Sequence, residues 1–129
     1  LEQRAQALHD LKKEPDFDPL AVAFKRIVNI SRSHSPGPVF PERFEKPVEG
    51  NLFEAYRLID QKAEEQIARR DYSSALRELS SLRRPVDEFF DGVMVMAEDE
   101  KVKENRLSLL ANIASLFFKI GDFSKITTA

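Results

Sequence analysis

Lys25, Arg26, Asn29 and Arg32 include pairs three or four positions apart, the spacing that brings side chains together along one face of a helix. They fall within a stretch, residues 19–41, that contains no Asp or Glu. The chemistry open to such a set is electrostatic and hydrogen-bonding, directed at an anionic or polar ligand. A solvated helix face fits the same spacing. Arg83 and Arg84 precede Pro85, where a cation could meet phosphate or simply favour the C-terminus of a helix. Arg106 follows Asn105 and either reaches an external ligand or pairs internally with Asp87 or Asp91. Internal pairing is the expectation, because a charge near a core needs a partner.

Residues for covalent or metal chemistry are sparse. The chain has no cysteine, which removes disulfides, thiolate metal sites and thiol nucleophiles together. Its two histidines, His9 and His34, have no partner at metal-ligand spacing. The four glycines, Gly37, Gly50, Gly92 and Gly121, form no phosphate-cradling loop. Asp and Glu are scattered as solubilising charge, and Glu98 and Asp99 read as turn and capping residues. An enzyme reading of this segment alone is poor.

The 129 residues suffice for one core. With 42% hydrophobic and 33% charged residues, the composition is that of a folded globular chain, not a disordered one. A net charge of −2 argues against coating of nucleic acid by bulk electrostatics. No apolar run approaches the roughly 20 residues of a membrane span, and no secretory signal opens the chain. The sequence begins at Leu1, inside a helical pattern, so a segment of a longer polypeptide is expected.

The elements that must position these residues follow from apolar periodicity. Residues 1–13 carry Leu1, Ala5, Leu8 and Leu11 at helical spacing. Asp18 and Pro19 mark the expected N-cap and first position of a second helix, with Leu20, Phe24 and Ile27 inward, ending near Arg32. Residues 33–50 hold Pro36, Gly37, Pro38, Pro41 and Pro47, so regular structure is not expected there, although Phe40, Phe44 and Val48 should pack the loop onto the body. A third helix is expected over residues 51–70, and a short break at Arg70 and Asp71 makes it a hairpin with a fourth over 72–83, burying Tyr72, Ala75, Leu76, Leu79 and Leu82. Pro85 starts a fifth, with Asp87 and Glu88 complementing its dipole and Val86, Phe89 and Phe90 on its buried face. Asp99 caps a sixth over 100–120, stopped by Gly121. The fold class is therefore all-α, a bundle of five to six helices in one domain over residues 1–129, with no internal repeat.

An ordered string runs through the second half: Pro85-Val86-Asp87-Glu88-Phe89-Phe90-Asp91, then Val93-Met94-Val95, then Asn105-Arg106-Leu107-Ser108-Leu109-Leu110, closing on Gly121-Asp122-Phe123-Ser124-Lys125-Ile126. Upstream stands Phe24-Lys25-Arg26-Ile27-Val28-Asn29-Ile30. This pattern resembles the C-terminal DALR-type anticodon-binding domain of bacterial glycyl-tRNA synthetase beta subunits, over most of the chain, with the Pro-rich loop matching least well. The closing segment suits that family better than the related domain of arginyl synthetases.

The resemblance implies a C-terminal fragment of a longer subunit. It would bind the anticodon arm of glycine tRNA and support ATP-dependent charging with glycine, the catalytic centre lying in a separate alpha subunit. Implied partners are glycine tRNA, the rest of the beta subunit and the alpha subunit. A cytoplasmic location is implied, with no membrane partner and no cofactor in this segment. Anticodon bases are single-stranded and can be splayed, stacked and read along their edges. Glycine anticodons carry cytosines opposite the codon guanosines, and a cytosine edge needs an acceptor beside a donor. Lys25, Arg26, Asn29, Arg32, Arg83, Arg84 and Arg106 are the candidate tRNA contacts. Phe89 and Phe90 belong to the core on periodicity, and Phe40 and Phe44 are the better stacking candidates should the loop border the RNA. The reading from another class is a helical protein-interaction module.

Overall fold

The computed structural model describes residues 17–32 and 34–120. Among them are five α-helices, one 3-10 turn and no strand: α1 (Phe17–Ser31), the turn Pro41–Arg43, α2 (Pro47–Ala68), α3 (Tyr72–Ser80), α4 (Arg83–Gly92) and α5 (Glu100–Ile120). The expected helix over residues 1–13, the stop at Gly121 and the side chains of Asp18, Pro19, Tyr72 and Ile120 lie outside what is described.

α5 organises the rest. Every residue from position 105 to 111 is buried, so this stretch has no solvent face and must be enclosed on all sides. α1 supplies one wall: its Leu20, Phe24 and Ile27 are fully buried. Phe24 meets Phe117 and Phe118 edge-to-face, with ring centroids 5.0 and 5.3 Å apart. Ala21 and Ala23 let the backbones approach. α2, α3 and α4 form the other walls through Leu52, Ile59, Leu76, Leu79, Leu82, Val86 and Phe89, in one continuous core. Asp99 caps α5 as its sequence predicts, its Oδ1 accepting from the N–H groups of Lys101 and Val102.

The α2–α3 hairpin is closed by local chemistry. Arg70 takes φ 60°, which lets its N–H reach the Ile67 carbonyl and the Asp71 N–H reach the Gln66 carbonyl, satisfying the end of α2. Asp71 then caps α3 by accepting from the Ser74 N–H.

Three boundaries differ from the sequence reading. α1 begins at Phe17, so Pro19 sits in its first turn and Asp18 is not its N-cap. α2 begins at Pro47 instead of position 51, because the Glu49 Oε1 accepts from the N–H of the N-cap Lys46, a donor that an α-helix start leaves unsatisfied, and from the Glu45 N–H just before it. α3 ends at Ser80 and α4 starts at Arg83. A helix running through Pro85 would leave the Ser81 carbonyl without a donor and press the pyrrolidine ring against it, so the chain breaks just upstream. Asp87 and Glu88 consequently fall in the second turn of α4, not the first.

Candidate nucleic-acid interface

The outer face of α1 is where most of the sequence-nominated cations lie. Leu20, Phe24 and Ile27 fix the rotation of the helix about its axis. That rotation leaves Val22, Arg26 and Asn29 exposed and Lys25 half-buried, with Arg32 exposed just past the helix end. Positions 22, 25, 29 and 32 form one stripe, with 26 flanking it. Two of these guanidinium groups are already held. Arg26 lies 4.0 Å above the Phe90 ring of α4, and Arg32 donates from Nη2 to the Asn29 Oδ1 at 2.8 Å. Among the described residues, none of Lys25, Arg26 and Arg32 is paired with a carboxylate.

The remaining nominees sit elsewhere. Arg83 and Arg84 open α4 and do not close a helix, so their charge gains nothing from the helix dipole there. Each is turned along α4 toward an acid one turn on: Arg83 to Asp87 at 3.4 Å and Arg84 to Glu88 at 3.1 Å. Both remain accessible, but they are separate from the α1 stripe in sequence and already neutralised.

Arg106 is corrected more sharply. It is 5% exposed, and its partner is neither Asp87 nor Asp91. Its Nε and Nη2 grip the fully buried Glu49 carboxylate bidentately at 3.2 and 3.1 Å. Nη2 also reaches Glu45 at 3.3 Å, and Nη1 donates to the Met94 carbonyl at 2.6 Å. The guanidinium thus ties α5 to the start of α2 and to the segment after α4, and has no edge to offer an RNA. Lys119 is engaged as well. Burial opposes its charge, but Asp60 and Glu64 at 3.5 and 3.3 Å outweigh that and hold the ammonium above its ordinary pKa.

Residues 34–44 run along α5, which pins them, and meet the end of the stripe where His34 and Pro36 share a hollow with Arg32. Asn105, Ser108 and Asn112 recur at helical spacing on one side of α5. The Asn105 amide accepts the Phe40 N–H at 2.7 Å and donates to its carbonyl at 3.0 Å. Ser108 Oγ bonds to the His34 Nε2 at 3.0 Å, and Asn112 donates to the Gly37 carbonyl at 2.8 Å. Three backbone groups of the proline-rich loop, the Phe40 N–H and the Phe40 and Gly37 carbonyls, are thereby satisfied by the two asparagines of this row. The Asn-Arg pair of the family-like string therefore does structural work: Asn105 holds the loop, and Arg106 holds α2.

Arg43 is a cation that reading the sequence missed. In the turn Pro41–Arg43 it lies three residues after Phe40, and its guanidinium covers the Phe40 ring at 4.2 Å. The signal for it was Phe40-Pro41-Glu42-Arg43, since a 3-10 turn aligns positions three apart. Phe40 thus presents a guanidinium-capped face, whereas Phe44 turns inward against Phe53 with centroids 5.8 Å apart. Phe89 is in the core, and Phe90 is half-buried beneath Arg26.

Two adjoining hollows share His34, and the first of them meets the stripe at Arg32. One, about 320 Å³, lies between the end of α1 and α5, with Arg32, Pro36, Ala114 and Phe118 on its walls. The other, about 260 Å³, lies between the loop and the first half of α5, with Phe40, Arg43, Glu104 and Asn105 on its walls. Cations at the rim, a stacked guanidinium and concave apolar surface can together hold a phosphate backbone and unstacked bases.

Comparison with known proteins gives the same direction. The family described as DALR anticodon binding domain matches residues 20–128. The chain is similar to the glycine–tRNA ligase beta subunit of Geotalea daltonii, with 48% identity over 124 residues, 96% of this chain and 18% of that protein. The corresponding subunit of Geobacter metallireducens is 48% identical over 123 residues, and that of Desulforudis audaxviator 45% identical over 123, each spanning 95% of this chain and 18% of the relative. The chain thus corresponds to under a fifth of the length of these curated relatives.

Proposed function

The chain belongs to the family of DALR anticodon-binding domains, and on that basis we propose that it binds the anticodon arm of glycine tRNA. It does so as the non-catalytic C-terminal part of a glycine–tRNA ligase beta subunit, in the cytoplasm, supporting ATP-dependent charging carried out elsewhere in the enzyme. The observation that supports this most directly is the α1 stripe of Lys25, Arg26 and Arg32. Among the described residues these cations are exposed or half-buried and unpaired with carboxylates, and Arg32 lines one of two neighbouring hollows of a size suited to single bases. Phosphates would meet the stripe, and splayed bases would enter the hollows.

The test is affinity of the chain for glycine tRNA and for the same tRNA with both anticodon cytosines replaced. Tighter binding to the native anticodon is expected, and equal affinity would remove the reading. Absolute binding will be weak in isolation, because the complete enzyme also holds other parts of the tRNA and gains from multivalency.

A protein-facing surface accompanies the RNA-facing one. Met94 and Met96, in the segment between α4 and α5, are 78% and 55% exposed. Exposed methionines are adaptable apolar contacts, and we assign them to packing against the remainder of the beta subunit or the alpha subunit.

A further inference from the structure

We propose that the hollow between residues 34–43 and the first half of α5 seats one anticodon cytosine, with Glu104 and Arg43 reading its edge. This rests on the anticodon-binding reading above and deepens it to a single base.

The walls of this hollow are fixed by bonds already made: Asn105 holds the Phe40 backbone on both sides, and His34 is bonded to Ser108. Two charged groups remain. Glu104 is exposed and, among the described residues, has no hydrogen-bond or ion-pair partner. Arg43 sits over Phe40 with its guanidinium carbon 4.2 Å from the ring centroid and, among the described residues, also has no carboxylate partner. A carboxylate and a guanidinium thus line one hollow without closing on each other within 4.0 Å.

A surface built only to hold phosphate would exclude Glu104, because a carboxylate repels the RNA backbone. The same carboxylate suits an exocyclic amine. Cytosine offers an N4 amino donor beside the N3 and O2 acceptors, so Glu104 accepts from N4 while Arg43 donates to the acceptors. Uracil places an acceptor where cytosine has its amine. Its O4 would face the Glu104 carboxylate with no proton between them, at the cost of an unpaired and repulsive contact.

The experiment measures affinity of wild-type and Glu104→Gln chains for glycine tRNA and for two variants, each with one anticodon cytosine replaced by uracil. In the wild type, at least one replacement should weaken binding by roughly 5- to 100-fold, the span of a good edge-reading contact. In Glu104→Gln the penalty should fall to within about threefold at one position, while any penalty at the other position persists, because an amide can turn to donate to O4. Since Glu104 is exposed, thermal melting of the variant should match the wild type. Undiminished penalties in Glu104→Gln would overturn the cytosine site and leave anticodon binding standing. Loss of both penalties would also overturn it, since a single hollow holds one base. A wild type indifferent to both replacements would remove the anticodon reading itself.

Discussion

Replacing Arg106 by methionine tests whether the bundle is fastened where the structure places the fastening. Glu49 is fully buried, and Arg106 provides two of the hydrogen bonds to its carboxylate. Removing one member of a buried ion pair typically costs about 3–5 kcal/mol, because the survivor keeps its charge without a counterion. The lower part of that range applies here, since Glu49 still accepts from the N–H groups of Glu45 and Lys46. The Met94 carbonyl loses its 2.6 Å donor as well. We therefore expect about 3–4 kcal/mol. At roughly 4 °C per kcal/mol for a chain of this size, the melting midpoint should fall by about 12–16 °C. Urea unfolding followed by helical circular dichroism measures this directly, and the cycle is completed with Glu49→Met and the double variant. The double variant abandons the charge and leaves chiefly two helix-start N–H groups unmet, so it should cost only about 2 kcal/mol. The two sites should couple by about 2 kcal/mol or more. A loss below about 1 kcal/mol in Arg106→Met, or a double variant equal to the sum of the singles, would refute the buried pair as the fastening.

Three further outcomes follow from the same geometry. Asn105→Ala deletes both bonds to Phe40 and should destabilise the chain by about 1–3 kcal/mol; hydrogen exchange should quicken in residues 34–44 more than in the helices, and uniform acceleration would count against a local role. Changing Lys25, Arg26 and Arg32 together to Gln should weaken tRNA binding and flatten its salt dependence, by about 0.7 in log–log slope for each phosphate that is no longer neutralised. Stability should change by no more than the Arg26–Phe90 contact, about 0.5–1 kcal/mol, and unchanged affinity would remove the stripe from the interface. Finally, hydrogen bonds from the Ser74 side chain and backbone hold the Asp71 carboxyl below its usual range. A carboxyl depressed in the folded state stabilises above its unfolded pKa of about 3.9 and loses that contribution as pH falls through the folded value. Wild type should thus exceed Asp71→Ala in urea midpoint at pH 6, with the gap narrowing toward pH 2; a gap constant with pH would contradict the capping role of the charge.

A mildly acidic chain can still carry a surface suited to the anionic ligand proposed above. Arg83, Arg84, Arg106 and Lys119 are each matched to carboxylates within the protein. Among the described residues, Lys25, Arg26, Arg32 and Arg43 are not. Net charge averages matched and unmatched cations alike, so a chain of net charge −2 can still carry a local excess of positive charge along α1.

Local chemistry was legible in the sequence. Apolar spacing identified the inward faces of the helices, Asp99 marked the start of α5, and the Arg70–Asp71 break marked the hairpin, because each depends on residues within a turn or two of one another. The acid-free run around α1 was equally visible, and the family resemblance extended over the same residues that the family comparison matches. Only the tertiary structure decided which cations are free. Arg106 and Glu49 lie 57 positions apart, and Asn105 and Phe40 lie 65 apart. No periodicity links such pairs, since periodicity records which face of a helix is buried and not what it is buried against. Asp87 and Asp91 were reasonable partners for Arg106 on charge alone, and the packing of α5 against the start of α2 chose Glu49. The same packing carried the loop to α5, placing Arg43 and Glu104 around one hollow from distant parts of the chain. Helices come from contacts a few residues long, while a binding face comes from how the helices dock.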